Sequence, residues 1–275
     1  MNVFSDCNRP PRASWRPVFF WMAQAVGRGG HSAAGSAGPA LSAAGWPARC
    51  LAHVVLCLVL GWPSGLWAAL ERVTVVRVLD GDTCVLADGR RLRLAGIDAP
   101  EMAHSGNPAQ YYAVEATSLL ARLTLGQPLG LALVGEGADR YGRTLGALIR
   151  PDGTSVAERM LGEGAAYIFW YRDLPRSLVE RYLAIQRRAM AAGAGFWPRI
   201  LALPAPAGAY VGNTASHRFH APGCPDAGRI GPRNRVLLPT LGEAFGRGYT
   251  PARDCTPWPS DRDAGPGKGW NRKWP

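Results

Sequence analysis

The chain is short of acid. Its 275 residues include 20 Asp and Glu against 31 Lys and Arg, a formal charge of +11, so an anionic partner is the first expectation. Six cysteines in that length exclude a disulfide-stapled miniprotein. Charged residues make up only 19 %, but 47 % are hydrophobic, enough to bury a core, which excludes disorder throughout. The apolar run Leu51 to Leu60 falls short of a full membrane span, because Gly61 and Pro63 interrupt it. Gly and Pro are abundant, 34 and 23, and predict long irregular stretches beside the folded part. At roughly 150 residues per domain the length suits two domains.

The basic surplus is uneven. Residues 1–70 carry five Arg and one Asp, and residues 71–200 carry 16 basic and 14 acidic side chains. Residues 201–275 carry ten basic and five acidic ones, so the two ends are basic and the middle is nearly neutral. Residues 1–46, rich in Gly, Ala, Ser and Pro, read as disordered or as an extension from a misplaced start codon. Residues 47–70 combine Arg49, an apolar run, a Gly-Trp-Pro-Ser-Gly break and Ala68-Ala69, the pattern of a signal peptide or an uncleaved membrane anchor. Either reading sends the rest of the chain across a membrane, to a periplasmic or extracellular place.

Folded sequence begins near Arg72. Val73 to Leu79 and Thr83 to Ala87 read as strands, Asp88-Gly89 as a hairpin turn, and Arg91-Leu-Arg-Leu94 alternates with period two. Helical spacing runs through Tyr112, Ala116, Leu119, Leu120 and Leu123. Strands fit Leu129–Val134 and Thr144–Ile149. Ser155 and Glu158 form a capping-box pair opening a short helix, and a long helix follows Pro175 with Val179, Tyr182, Leu183 and Met190 on one face. Strands, an inserted helix and closing helices predict a small β-barrel with packed helices.

Four acids and two arginines sit in or beside turns of this region. Asp80 and Asp82 flank Gly81, Asp98 and Glu101 follow the third strand, and Arg93 and Arg143 stand nearby in the pattern. Oxygen ligands of this kind suit a hard divalent ion such as Ca2+. An ion, a carboxylate to handle water and two guanidiniums form a kit for attack on a phosphodiester, with the arginines binding phosphate oxygens in pairs. Taken singly each residue is ordinary: Asp-Gly dipeptides make turns, Arg93 alone is an exposed strand residue, and Tyr141-Gly-Arg143 alone is a hairpin. Their joint occurrence, in this order, is what stands out.

Three stretches carry a resemblance: Val78-Leu-Asp-Gly-Asp-Thr83, Arg93-Leu-Ala-Gly-Ile-Asp-Ala-Pro-Glu101 and Asp139-Arg-Tyr-Gly-Arg143. With them, residues 72 to about 197 resemble the staphylococcal nuclease (thermonuclease) family. The resemblance implies a mainly β fold with α, a five-stranded OB-fold barrel with three helices, and Ca2+-dependent cleavage of DNA and RNA. By position it makes Asp82, Asp98 and the backbone carbonyl of Ala99 the metal ligands. Glu101 orients or deprotonates the attacking water, and Arg93 and Arg143 bind phosphate. Asp80 stands behind the ligands, Tyr141 lines the nucleotide site, and Tyr167-Ile-Phe-Trp-Tyr171 falls where the family stacks a base, although core packing suits most of those residues.

Beyond the domain at 71–200, a Pro/Ala-rich linker (201–209) leads to a small Cys/His-containing α+β module (210–256) and a tail (257–275) read as disordered. Tyr210-Val-Gly-Asn213, His220-Ala-Pro-Gly-Cys224 and Gly248-Tyr-Thr-Pro-Ala-Arg-Asp-Cys255 resemble the metal-binding domain of methylphosphotriester-repair proteins. That pattern ends in Pro-Cys-x-x-Cys, but Ala252 replaces its first cysteine, so His220, Cys224 and Cys255 lack a fourth ligand unless Asp226 or Asp254 serves. Zn2+ held by this set and a Cys224–Cys255 disulfide are the two readings. Cys84 reads as a small core residue. The whole predicts an exported, monomeric Ca2+-dependent endonuclease acting on DNA and RNA, single strands preferred, with little sequence readout. It touches the membrane only through its N-terminal segment. The alternative is an inactive nuclease-like barrel that docks nucleic acid or protein.

Overall fold

The computed structural model describes residues 70–260 except 105, 140, 172, 173, 205, 254, 256 and 257. All described residues belong to one unit, Val59–Pro275. Residues 47–69 of the candidate export segment, Cys7, Cys50, Cys57, Asp254 and the tail beyond Ser260 lie outside them. Among the described residues no helix is long and apolar enough to cross a membrane.

The first strand is split in two, β1 (Glu71–Val73) and β2 (Val75–Val78), with Thr74 between them. β3 (Thr83–Leu86) and β4 (Arg91–Leu94) follow around the Asp88-Gly89 turn, where Gly89 takes a φ of +87°. With β6 (Leu129–Ala138) and β7 (Thr144–Ile149) they make a sheet in the order β1-β6-β7-β4-β3-β2. The two edge strands are neighbours in sequence, so the sheet curls until its edges are one bent strand. Counted by hydrogen bonding there are six strands rather than the expected five, because the chain turns from one partner to the other at Thr74. A separate short pair, β5 (Ile97–Asp98) and β8 (Tyr167–Ile168), runs antiparallel beside it.

Helices close the curl. α1 (Ala113–Thr124) turns Ala116, Leu120 and Leu123 into an aliphatic core shared with Leu86, Leu92, Leu94 and Leu129. α2 (Val156–Gly162) adds Met160 and Leu161, and α3 (Arg176–Ala191) adds Val179 and Tyr182. Cys84 lies fully buried as a free thiol, which burial pushes up to about 12. The expected capping box does not form. Ser155 is the residue before α2, but its hydroxyl faces the Tyr182 hydroxyl at 3.5 Å, and Glu158 pairs with Arg181 at 2.7 Å. The tertiary partners outcompete the local cap.

A fourth helix, α4 (Trp197–Leu201), adds to the three expected and leads to a second sheet. Its strands β9 (Tyr210–Asn213), β10 (Arg218–His220), β11 (Arg235–Leu238) and β12 (Thr250–Pro251) lie in the order β11-β9-β10-β12. Two short helices, α5 (Pro225–Gly228) and α6 (Leu241–Gly246), connect them, and the Thr240 hydroxyl caps α6 at the Glu243 amide. This sheet does not stand apart beyond a linker. A single apolar cluster joins Tyr167, Phe196, Trp197 and Ile200 to Tyr210, Phe219, Phe245, Tyr249 and Trp258. Trp258, inside the tail expected to be disordered, is buried there, stacked on Tyr167 with ring centres 5.1 Å apart. Its indole donates to the Tyr111 carbonyl at 2.9 Å, and the Pro259 carbonyl accepts from the Tyr111 amide at 2.7 Å. A large aromatic face and two backbone partners outweigh the polar composition around them.

Candidate active site

The Asp80-Gly-Asp82 turn is tight for a packing reason. A Cβ on Gly81 would come within 2.6 Å of the Ala99 Cβ and 2.8 Å of the Ala116 Cβ, so the turn lies pressed between the chain after β5 and helix α1. Asp80 accepts from the Asp82 amide at 3.0 Å, an Asx-type closure, while burial pushes its carboxyl up against the pull of Arg93. Asp82 in turn reaches over to β5. One oxygen accepts from the Thr83 hydroxyl and the other from the Ala99 amide, both at 2.8 Å. The sequence-predicted acids therefore meet because the first turn is clamped onto the Asp98-Ala-Pro-Glu101 stretch.

Arg93 ties them together. It is buried, not the exposed strand residue its position alone suggests, and its two terminal nitrogens pair with Asp82 and Asp98. Asp98 itself is 1 % exposed. Burial opposes its charge, yet Arg93, Arg253, Arg218 and the Tyr167 hydroxyl together hold its carboxyl below the usual range. Tyr167 donates to Asp98 Oδ2 at 3.1 Å. A buried carboxylate with that many donors is satisfied, where an unpaired one would cost several kcal/mol.

Glu101 lies at the rim. Its amide donates to Gln110 at 2.8 Å and its carboxylate pairs with Arg253 at 2.7 Å. Burial pushes that carboxyl up, with Arg253 opposing, so it is a stronger base than an exposed Glu. Arg253 also donates to both oxygens of Asp98, at 3.1 and 3.3 Å. Arg143 is set apart. Gly142, at φ +72°, closes the 139–143 loop, and Asp139 accepts from the Arg143 side chain at 2.7 Å and from the Tyr141 and Arg143 amides. No described hydrogen bond joins Arg143 to the acids. Burial pushes the Tyr171 hydroxyl up, and the charges of Arg93, Asp98, Arg143 and Asp139 all reach it. Tyr141 is 68 % exposed, its ring 5.5 Å from the Arg143 guanidinium carbon.

The donor chemistry suits a hard cation. Asp82 and Asp98 share one guanidinium with Asp80 and Glu101 close by, an excess of carboxylate over buried cation. They do not bring three ligand atoms together unaided, so an ion there would complete its shell with carbonyl and water oxygens, as Ca2+ does. Among the described residues the one set with three close ligand atoms is His220, Cys224 and Cys255, all within 4.8 Å. There the two sulfurs are joined as a disulfide with Cα atoms 5.9 Å apart, and His220 Nδ1 lies 3.4 Å from Cys255 Sγ. A bonded pair of sulfurs offers zinc no thiolate. Asp226, the spare ligand considered from sequence, is turned to Arg229 at 2.7 Å.

Sequence reasoning placed Asp80, Asp82, Arg93, Asp98 and Glu101 at one site, and the structure brings them together. It missed Tyr167, Arg218 and Arg253. Tyr167 was legible only as one of five residues in an aromatic run. Arg253 fills an unspecified position in the Gly248–Cys255 stretch, which resembles a metal-binding pattern, and reaches Asp98 across 155 residues of sequence.

Part of the chain is similar to known proteins. Residues 91–199 match the family model described as staphylococcal nuclease homologue. The chain is 36 % identical over 118 residues to an uncharacterized endonuclease of Escherichia coli O157:H7, covering 42 % of this chain and 71 % of the relative. It is 36 % identical over 113 residues to a thermonuclease of Staphylococcus hyicus, covering 40 % and 66 %. It is 37 % identical over 138 residues to a micrococcal nuclease of Shigella flexneri, covering 46 % and 72 %.

Proposed function

The chain belongs to the staphylococcal nuclease homologue family, and on that footing we propose that it is a phosphodiester-hydrolysing nuclease acting on DNA and RNA with Ca2+. The observation that carries the reading is the buried group in which Asp82 and Asp98 share Arg93, with Glu101 at its rim. Asp82, Asp98 and the Ala99 carbonyl would hold the ion, which supplies positive charge against the developing phosphorane-like oxygens. Glu101, with a carboxyl raised by burial, orients the attacking water and takes its proton. Arg143, on its own loop, presents a planar fork to the phosphate, and exposed Tyr141 lines the nucleotide beside it. Arg93 keeps the two ligand carboxylates in place and meets phosphate from the buried side. Sequence readout is not expected, and single strands fit such a groove best.

Incubation of the full chain with denatured DNA, in Ca2+ and in chelator, tests the reading. Degradation that chelator abolishes is expected, and DNA left intact in Ca2+ overturns it. Arg143→Ala should remove most activity while the melting temperature stays within a few degrees. An inactive docking barrel fits less well, because all of its acids and both arginines are retained. We propose export to the periplasm or outside the cell by the segment at 47–70, acting as a monomer; N-terminal sequencing of the mature protein checks the cleavage. In that oxidising setting Cys224 and Cys255 stay a disulfide, and Zn2+ would belong only to the reduced chain, which metal analysis after reduction decides.

A further inference from the structure

Four carboxylates, Asp80, Asp82, Asp98 and Glu101, converge on a single buried guanidinium from the barrel, Arg93. Even with one divalent cation among them, such a group stays net negative and repels a phosphodiester. Further positive charge does arrive, but from the second sheet. Arg253 follows β12, and Arg218 opens β10, the strand paired parallel to β12. Both lie outside the residues that match the family model, 91–199.

The second sheet holds these two arginines in fixed positions. Arg218 donates to the Thr250 hydroxyl at 2.8 Å and lies over the Phe169 ring at 4.0 Å. Arg253 stands two residues before Cys255, which is bonded to Cys224, and the Ala252 amide beside it donates to the Phe219 carbonyl at 2.8 Å. The charges of both reach Asp98. Arg253 uses one nitrogen, Nη2, for all its contacts with Asp98 and Glu101. Its Nε and Nη1 have no partner among the described residues, and its side chain is 58 % exposed while that of Asp98 is 2 %. Its Nη2 is anchored in the acid cluster, while more than half of the side chain is exposed.

We propose that Arg253, backed by Arg218, is a phosphate-binding subsite that the second sheet adds to the nuclease site, taking a backbone phosphate next to the one being cleaved. The inference rests on the nuclease reading and deepens it. The subsite binds through charge and single N–H donors, so it reads no bases and favours a polynucleotide over a single nucleotide. It also gives the second sheet a direct part in substrate binding.

The test uses the full chain as wild type, Arg253→Ala, Arg253→Lys and Arg229→Ala, the last a control on an exposed module arginine. Affinity for a fluorescein-labelled single-stranded DNA oligonucleotide is measured by anisotropy in excess chelator over a range of salt, and kcat and KM are measured in Ca2+. Arg253→Ala should bind about tenfold more weakly. Its salt slope should be shallower by about 0.7, as for one lost phosphate contact, and its KM should rise more than its kcat falls. Arg253→Lys should keep the slope and recover part of the affinity, and Arg229→Ala should match wild type. The proposal is overturned if Arg253→Ala leaves affinity and slope unchanged. It is overturned equally if Arg253→Ala and Arg253→Lys lose melting temperature and activity together at an unaltered slope, which marks a brace. Faster turnover and tighter Ca2+ binding in Arg253→Ala would instead mark a latch over the acids. Since the binding arm needs no cleavage, an Arg253-dependent slope in a chain that never degrades DNA defeats the nuclease reading alone.

Discussion

The two halves of the described structure are packed from different material. The curled sheet and its helices close over aliphatic side chains such as Leu86, Leu92, Leu94, Leu120 and Leu129. The second sheet closes over rings, among them Tyr210, Phe219, Phe245, Tyr249 and Trp258, and adds a disulfide. The difference follows from size. A many-stranded sheet hides enough aliphatic surface by itself, whereas a small one needs large side chains, a covalent tie and a neighbour's surface to reach the same end. Here the neighbour is the barrel, which lends Tyr167, Phe196 and Trp197. Tyr167 belongs to both worlds, with its ring in the aromatic cluster and its hydroxyl on Asp98. Gln186 spans them too, accepting from the Ile168 amide and donating to the Phe245 carbonyl, both at 2.7 Å. The candidate site sits on the side of the barrel where these halves meet.

If that account holds, the barrel cannot be damaged alone, and neither can the second sheet. Arg93→Ala should have the largest effect. It leaves Asp82 and Asp98 buried without their shared cation, costing about 3–5 kcal/mol in denaturant unfolding and nearly all nuclease activity. Phe245→Ala comes next, at about 3–5 kcal/mol by the loss of a fully buried ring. It should lower activity as well, because its ring packs 5.7 Å from that of Tyr167. A single lowered melting transition is expected in calorimetry, and two transitions with full activity would show that the halves are independent. Reduction of the Cys224–Cys255 disulfide, which spans 31 residues, should cost about 3 kcal/mol and loosen the turn that carries Arg253. Gln186→Leu should be the mildest of the four, about 1–3 kcal/mol, since it leaves the buried Ile168 amide without its partner, whereas the Phe245 carbonyl keeps the Gly248 amide. Amide exchange at Ile168 is the sharpest readout of that loss.

Local pattern made much of the barrel legible. Period-two alternation in Arg91-Leu-Arg-Leu94, the Asp88-Gly89 turn and the spacing from Tyr112 to Leu123 each correspond to an element in the structure. The capping box at Ser155 and Glu158 was legible and misleading, because Tyr182 and Arg181 offered both side chains tertiary partners instead. Trp258 shows the same failure in reverse: its polar surroundings read as tail, while its ring had a slot waiting on Tyr167. Of the site, the acids and Arg93 could be read because three short stretches carry them. Arg218 belongs to no such stretch, and the one that carries Arg253 resembles a metal-binding pattern, so neither could be tied to the acids.

The sequence by itself determined which side chains the barrel would offer a phosphodiester, since turns such as Asp80-Gly-Asp82 confine their acids to one small region whatever else the chain does. It also placed the basic surplus outside the barrel, in residues 1–70 and 201–275. The tertiary structure alone decided that part of that surplus returns to the acids. Arg253 meets Asp98 because β12 pairs with β10, and because the aromatic cluster docks that sheet against the barrel. A contact across 155 residues leaves no local signature; it exists only once the intervening surfaces have been buried against each other.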